Sequence, residues 1–165
     1  MTLLGQGIKE ARGLITGLRP PILDELGIIA AIEYLVCESS ERDGPEIEFL
    51  HDTRLEQLAP SLQTAVFRIV QELLNNVRDH AQATQVRVTI ELEDRWVRGV
   101  VEDNGTGFNV DDTLAAARQK QTLGLSTMYE RVDMLGGEIE IESQPGQGTR
   151  VVVEIPTVYQ VPAGS

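Results

Sequence analysis

The chain has 165 residues, enough for one well-packed domain with a short appendage and too few for two full domains. A formal net charge of −12 argues against nucleic acid and anionic membranes as partners, since both demand clustered Lys and Arg, and in its plainest reading the acidity serves solubility. It leaves nucleotides open, because Mg²⁺ and backbone N–H groups hold phosphates without a basic protein.

Aromatics are 4% of the residues, so the core must be aliphatic. One cysteine, Cys37, excludes an internal disulfide and reads as a small buried apolar residue. With only His51 and His80 to join it, a structural metal site is not expected. No apolar run approaches the roughly 20 residues of a membrane span, and no signal peptide is visible, so the chain reads as soluble.

Residues 5–18 carry a mild helical pattern with Ile8, Ala11, Leu14, Ile15 and Leu18 apolar. Arg19-Pro20-Pro21 stops it. Asp24 is a candidate cap for a second helix, running to about Arg42 and ended by Gly44-Pro45. Glu46 to His51 reads as a strand. Pro60 opens the clearest helix, residues 60–81, where Val66, Ile69, Val70, Leu73, Leu74 and Val77 recur at i, i+3, i+4 and i+7. Residues 85–93 and 96–103 alternate as two paired strands around a turn near Asp94. Residues 104–123 read as a long loop, a length that favours a lid or binding loop. A helix at 124–135 ends at Gly136-Gly137, and strands 138–143 and 149–155 flank a Pro-Gly turn. Directly joined strands imply antiparallel pairs, and helices gathered on one face give a two-layer α+β sandwich.

Three constellations bear on chemistry. Glu72, Asn75, Asn76 and Asp79 share one stripe of the long helix. Such a stripe is ordinarily a solvated face; the alternative is a metal and phosphate site, where an Asn carbonyl suits Mg²⁺ and a carboxylate one turn away accepts a proton. Glu102-Asp103-Asn104-Gly105-Thr106-Gly107-Phe108 follows a strand. It is either an ordinary Gly turn or a carboxylate beside glycines that let a ligand approach the backbone. An ionised Asp only accepts hydrogen bonds, so it suits the amino group of adenine. Leu123-Gly124-Leu125-Ser126-Thr127-Met128 opens a helix, whose N-terminal N–H groups either receive a plain cap or face phosphate.

The order of these signals carries a resemblance. FRIVQELLNNVRDHAQAT resembles the N box of sensor histidine kinases, VEDNGTGF their first glycine box, and LGLSTMYERVDMLGGEIEIESQPGQGTRVVVEIP their second glycine box with the closing strands. LRPPILDELGI resembles the junction between dimerisation helices and ATPase domain in the subclass that includes nitrate and degradation-control sensors. The match covers about residues 5–156.

The resemblance implies a GHKL-type α/β sandwich, a mixed, mainly antiparallel sheet with helices on one face. It implies that ATP and Mg²⁺ bind, with Asn76 as the metal-binding asparagine, Glu72 as the catalytic acidic residue and His80 as the histidine near the phosphates. It further implies that Asp103 takes adenine, Gly105 and Gly107 line the nucleotide, Gly124 and Leu125 end the ATP lid, and Thr149 stands beside the adenine pocket.

Two positions depart from the pattern: Asp79 replaces a basic residue before His80, and Thr122 replaces a glycine before Gly124. The subclass carries its acceptor histidine on the first dimerisation helix, and no histidine stands in residues 1–20, which resemble the second. The expected organisation is therefore a remnant of the second dimerisation helix at 1–20, an ATP-binding catalytic domain at 21–156 and a tail at 157–165. The parent would pass the phosphoryl group from ATP to a histidine on a dimerisation helix, then to a response regulator, in the cytoplasm and without nucleic acid. The alternatives are a GHKL serine kinase of anti-sigma-factor type and a nucleotide-binding interaction module without turnover.

Overall fold

A computed structural model describes residues 19–41, 43–111 and 124–157, with residues 124–127 described in backbone only. The patterns expected at 5–18, in most of the long loop, at Thr122 and in the tail beyond Thr157 lie outside the described residues.

The elements follow as α1 (Pro21–Ser40), β1 (Glu46–His51), a 3₁₀ turn (Thr53–Gln57), α2 (Pro60–Asn76) with a π turn (Val77–Ala81), β2 (Gln85–Glu93), β3 (Trp96–Asp103), α3 (Gly124–Met134), β4 (Glu138–Ser143) and β5 (Thr149–Pro156). The strands form one sheet in the order β1-β2-β3-β5-β4. β1 and β2 are parallel, as the intervening α2 requires, and the other pairs are antiparallel. The α+β sandwich with a mixed, mainly antiparallel sheet is the fold the sequence implies.

Register decides which side of the sheet is core. Val86, Val88 and Ile90 of β2 pair with Asp103, Val101 and Gly99 of β3, which pair in turn with Thr149, Val151 and Val153 of β5. Alternation puts all of these on one face. Their apolar members are buried with Val66, Ile69, Val70, Leu73 and Leu74 of α2. Burying each such side chain contributes about 1.5–3 kcal/mol before entropy is counted. The opposite face carries Arg87–Glu48, Arg98–Glu154 and Arg150–Glu102 ion pairs at 3.3, 3.5 and 2.9 Å. That two-sided patterning holds the polar end residues of β3, β5 and β4 on the helix side.

The first helix, α1, corrects three expectations. Asp24 caps nothing: α1 begins at Pro21, and the Asp24 carboxylate pairs with the Arg19 guanidinium instead. α1 is also broken at Gly27, whose φ of +83° favours glycine. The restart is capped from elsewhere: the Glu56 carboxylate accepts the Ile29 N–H at 3.1 Å, and a Cβ on Gly27 would lie 2.5 Å from it. Cys37 is exposed, not buried, because Ile28, Ala31, Ile32 and Leu35 form the inward stripe of α1.

The long helix is α-helical only to Asn76, and its last turn, Val77–Ala81, is a π turn ended by Gln82 at φ +51°. α3 ends as its two glycines predict. Gly136, at φ +72°, donates to Asp133 and Gly137 donates to Val132, at 2.9 and 3.0 Å, the pattern of a Schellman stop.

Candidate nucleotide site

At the N-terminal end of α2 a polar hub fixes the entry of the chain. Gln63 is buried; its amide donates to the Glu56 and Leu58 carbonyls, both at 3.1 Å. Its oxygen accepts from Arg19 Nη2 at 2.9 Å, while Arg19 Nη1 donates to the Pro60 carbonyl at 2.9 Å. The opposite end of α2 carries Glu72 and Asn76, both half-buried, and neither side chain has a hydrogen-bond partner among the described residues. Burial pushes the Glu72 carboxyl up; the Arg131 guanidinium on α3 opposes this and the Asp79 carboxylate adds to it. Asp79 is exposed and pairs with Arg78 at 3.2 Å; His80 is exposed on the same turn.

Backbone contacts clamp that turn to the first glycine box. The Thr106 N–H donates to the Ala81 carbonyl at 2.7 Å, and a Cβ on Gly105 would stand 2.1 Å from that carbonyl oxygen. Gly107 has φ +65°, and a Cβ there would meet the Gln144 carbonyl at 2.1 Å. The Gly146 N–H donates to the Thr106 carbonyl at 2.6 Å. The π turn, the glycine box and the β4–β5 turn thus lie backbone against backbone, which only glycine permits at these two positions. Asn104, at the centre of the box, is structural: its side-chain oxygen accepts the Thr84 and Gln85 N–H groups at 2.9 and 3.0 Å.

Asp103 ends β3 on the helix side. Its carboxylate accepts the Gly105 N–H at 2.8 Å. Burial pushes its pKa up, against the pull of the Gly105 and Thr149 backbone N–H groups. Thr149 is its register partner on β5, and Ser143 is the register partner of Thr149 on β4. Asp103, Thr149 and Ser143 therefore form one row across three strands. Ser143 has no part in the sequence-based expectations; its only signal was its place opposite Thr149 across the closing hairpin. Arg131 was likewise missed. Gly124 opens α3, which leans on the domain through the buried Met128 and Val132, while Leu125 is described in backbone only.

The family model named "Histidine kinase-, DNA gyrase B-, and HSP90-like ATPase" matches residues 61–158. This chain belongs to that family. Among curated relatives, the signal transduction histidine-protein kinase/phosphatase DegS of Brevibacillus brevis is 34% identical over 154 residues, covering 93% of this chain and 39% of the relative. Sensor histidine kinase LiaS of Bacillus subtilis (strain 168) is 33% identical over 155 residues, covering 93% and 41%. The chain thus spans about two fifths of these relatives. The blue-light activated histidine kinase of Erythrobacter litoralis EL346 superposes with a TM-score of 0.64 at 23% identity, over 78% of this chain and 41% of that one. Full-length ShkA, solved in complex with AMPPNP, gives 0.61 at 24%, over 78% and 29%. These two share the fold. The resemblance to sensor histidine kinases holds, and the chain is an ATP-binding domain of histidine-kinase type. Among the described residues no helix is long and apolar enough to cross a membrane.

Proposed function

We propose that this domain binds Mg²⁺-ATP and gives the γ-phosphoryl group to a histidine on a dimerisation helix, for relay to a response regulator. The observation that supports this reading is the backbone clamp between the π turn that follows Asn76 and the glycine box that follows Asp103. In it, Asp103 accepts from the adenine amino group, with Thr149 beside it. Gly105 and Gly107 let the nucleotide lie against backbone, and Gly124, Leu125 and the N-terminus of α3 face the phosphates, with His80 near them.

The donor set fits Mg²⁺. The Asn76 carbonyl has no competing partner among the described residues, and this ion needs few protein ligands when phosphates and water supply the rest. No group of three or more His, Cys, Asp and Glu side chains gathers as a metal cage among the described residues, which suits an ion that arrives with its nucleotide. Bound there, Mg²⁺ would neutralise phosphate charge. Glu72, with a carboxyl held above its ordinary range, is suited to take the imidazole N–H proton. As that proton is taken, the other ring nitrogen attacks the γ-phosphorus with its in-plane lone pair, the bond to the bridging oxygen breaks, and ADP leaves; the protein's part is mostly position and charge.

In this reading residues 1–20 end the second dimerisation helix, residues 21–156 are the catalytic domain, and the acceptor is neither His51, the last residue of strand β1, nor His80. A second reading, nucleotide binding without turnover, is favoured by one contact: Asp79 engages Arg78 on the turn where the subclass offers a basic residue to phosphate.

Incubation with γ-labelled Mg²⁺-ATP and the parent kinase's histidine-bearing helical segment separates them. Acid-labile, base-stable label on the segment supports the kinase. Nucleotide binding with no label supports the second reading, and label on a serine, or on His51 or His80, contradicts the first.

A further inference from the structure

The Ser143 hydroxyl has one proton and two lone pairs, and three neighbours claim it. The Phe108 N–H donates to its oxygen at 2.9 Å, the Gly148 carbonyl lies 2.9 Å away as an acceptor, and the Thr149 hydroxyl lies at 2.8 Å. A carbonyl cannot donate and an amide N–H cannot accept. All three contacts are satisfied together in one arrangement only: Ser143 donates to Gly148 and accepts from both Phe108 and Thr149. The Thr149 proton is then spent on Ser143, and the Thr149 oxygen is left with lone pairs alone. Gly148 is buried at φ +75°, and a Cβ on it would stand 2.2 Å from the Asp103 carbonyl, so the acceptor that fixes the pattern is itself held in place.

We infer that Ser143 is a positioning residue for base selectivity: by fixing the Thr149 hydroxyl it makes the Asp103–Thr149 edge a pure hydrogen-bond acceptor. Such an edge welcomes an amino group at the six position of a purine and turns away a carbonyl there, since neither side chain has a proton to offer. This rests on the nucleotide reading above and adds the device that sets its selectivity. A serine merely stapling a hairpin would predict lost stability and unchanged selectivity.

The test uses the whole chain and calorimetric titration with Mg²⁺-ATP and Mg²⁺-ITP, which differ at that position by amino against carbonyl. Wild type should favour ATP. In Ser143→Ala the Thr149 hydroxyl is released to rotate and donate to the carbonyl. The ratio of ITP to ATP dissociation constants should fall by about 5-fold or more, the scale of one neutral hydrogen bond. Adding Thr149→Val removes the donor and should cancel the gain in ITP binding. Ser143→Cys, a poorer partner of similar size, should narrow the ratio as well and serves if the alanine variant does not fold. A ratio unchanged in every folded Ser143 variant, with ATP still preferred, overturns the inference and leaves the nucleotide reading intact. A wild-type chain that binds neither nucleotide overturns both.

Discussion

The two ends of α2 are both polar, and they are built to opposite rules. At the N-terminal end Gln63 is buried with its amide donating to two carbonyls and its oxygen taken by Arg19, so the burial of a polar side chain is matched by partners. At the C-terminal end Glu72 and Asn76 are half-buried with no hydrogen-bond partner among the described residues, and desolvation lifts the Glu72 carboxyl. A satisfied hub spends its polarity on architecture. A hub left unsatisfied gives up stability and keeps its lone pairs for a ligand, the pattern expected where function and folding compete.

The largest expected effect comes from striking the unsatisfied end. Glu72→Gln should reduce phosphoryl transfer to the helical segment by about 10²–10⁴-fold, the usual worth of a positioned base, while Mg²⁺-ATP affinity stays within about 2-fold. Parallel single-turnover labelling and calorimetry read the two quantities. A proportionate loss of both would make Glu72 a binding residue and blur the contrast between the two ends.

Asp103→Asn should cut ATP affinity about 10-fold or more, because the amide cannot be relied on to present an acceptor to the adenine amino group. Its effect on the unliganded fold should have the other sign. Burial holds the Asp103 pKa above its ordinary 3.8, so the folded state binds more protons than the unfolded one between those two values. Stability falls as pH rises through that window, and the penalty is in full force above it. Asn carries no such penalty, so at neutral pH the variant should be at least as stable as wild type in a urea titration. By the same sign, ATP affinity of the wild type should weaken as pH falls into the raised window, and that dependence should be absent in the variant.

At the satisfied end the outcomes reverse. Gln63→Leu leaves the Glu56 and Leu58 carbonyls without their donor and Arg19 without an acceptor, and should cost about 1–3 kcal/mol of stability with ATP affinity unchanged. Denaturation midpoint and calorimetry together check it; a selective loss of ATP binding would mean that this hub also serves the site.

The smallest effect lies between the ends. A Cβ on Gly99 would meet nothing within 4 Å, and it faces a cavity of about 20 Å³ lined by Val66, Ile69, Val70, Leu73, Val88 and Val101. Gly99→Ala should stabilise by about 0.4–1 kcal/mol and raise the melting temperature by a few degrees, leaving both hubs untouched.

Legibility in the sequence followed the same division. Strands with one buried face write their alternation plainly, as in Val86-Arg87-Val88-Thr89-Ile90, and α2 shows its inward stripe because its other face is polar. α1 is apolar nearly all round, so periodicity could not tell that Cys37 faces out. The run Gly27-Ile28-Ile29-Ala30-Ala31-Ile32 hid a break that depends on a carboxylate 27 residues away in sequence. The π turn was invisible because its residues suit an α-helix equally well. Asp103, Gly105 and Gly107 stood out as a local string. Ser143 and Arg131 did not, since each matters only through a neighbour that the fold supplies.

The most direct test of the central claim is calorimetric titration of the wild-type chain and Asn76→Ala with ATP, each with and without Mg²⁺. The wild type should bind ATP more tightly with Mg²⁺ than without it. Asn76→Ala should lose about 1–3 kcal/mol of affinity in Mg²⁺ and little in its absence, as expected for a lost ligand contact. Equal affinity of wild type and variant in Mg²⁺ would contradict the assignment of this end of α2 as the nucleotide and metal site.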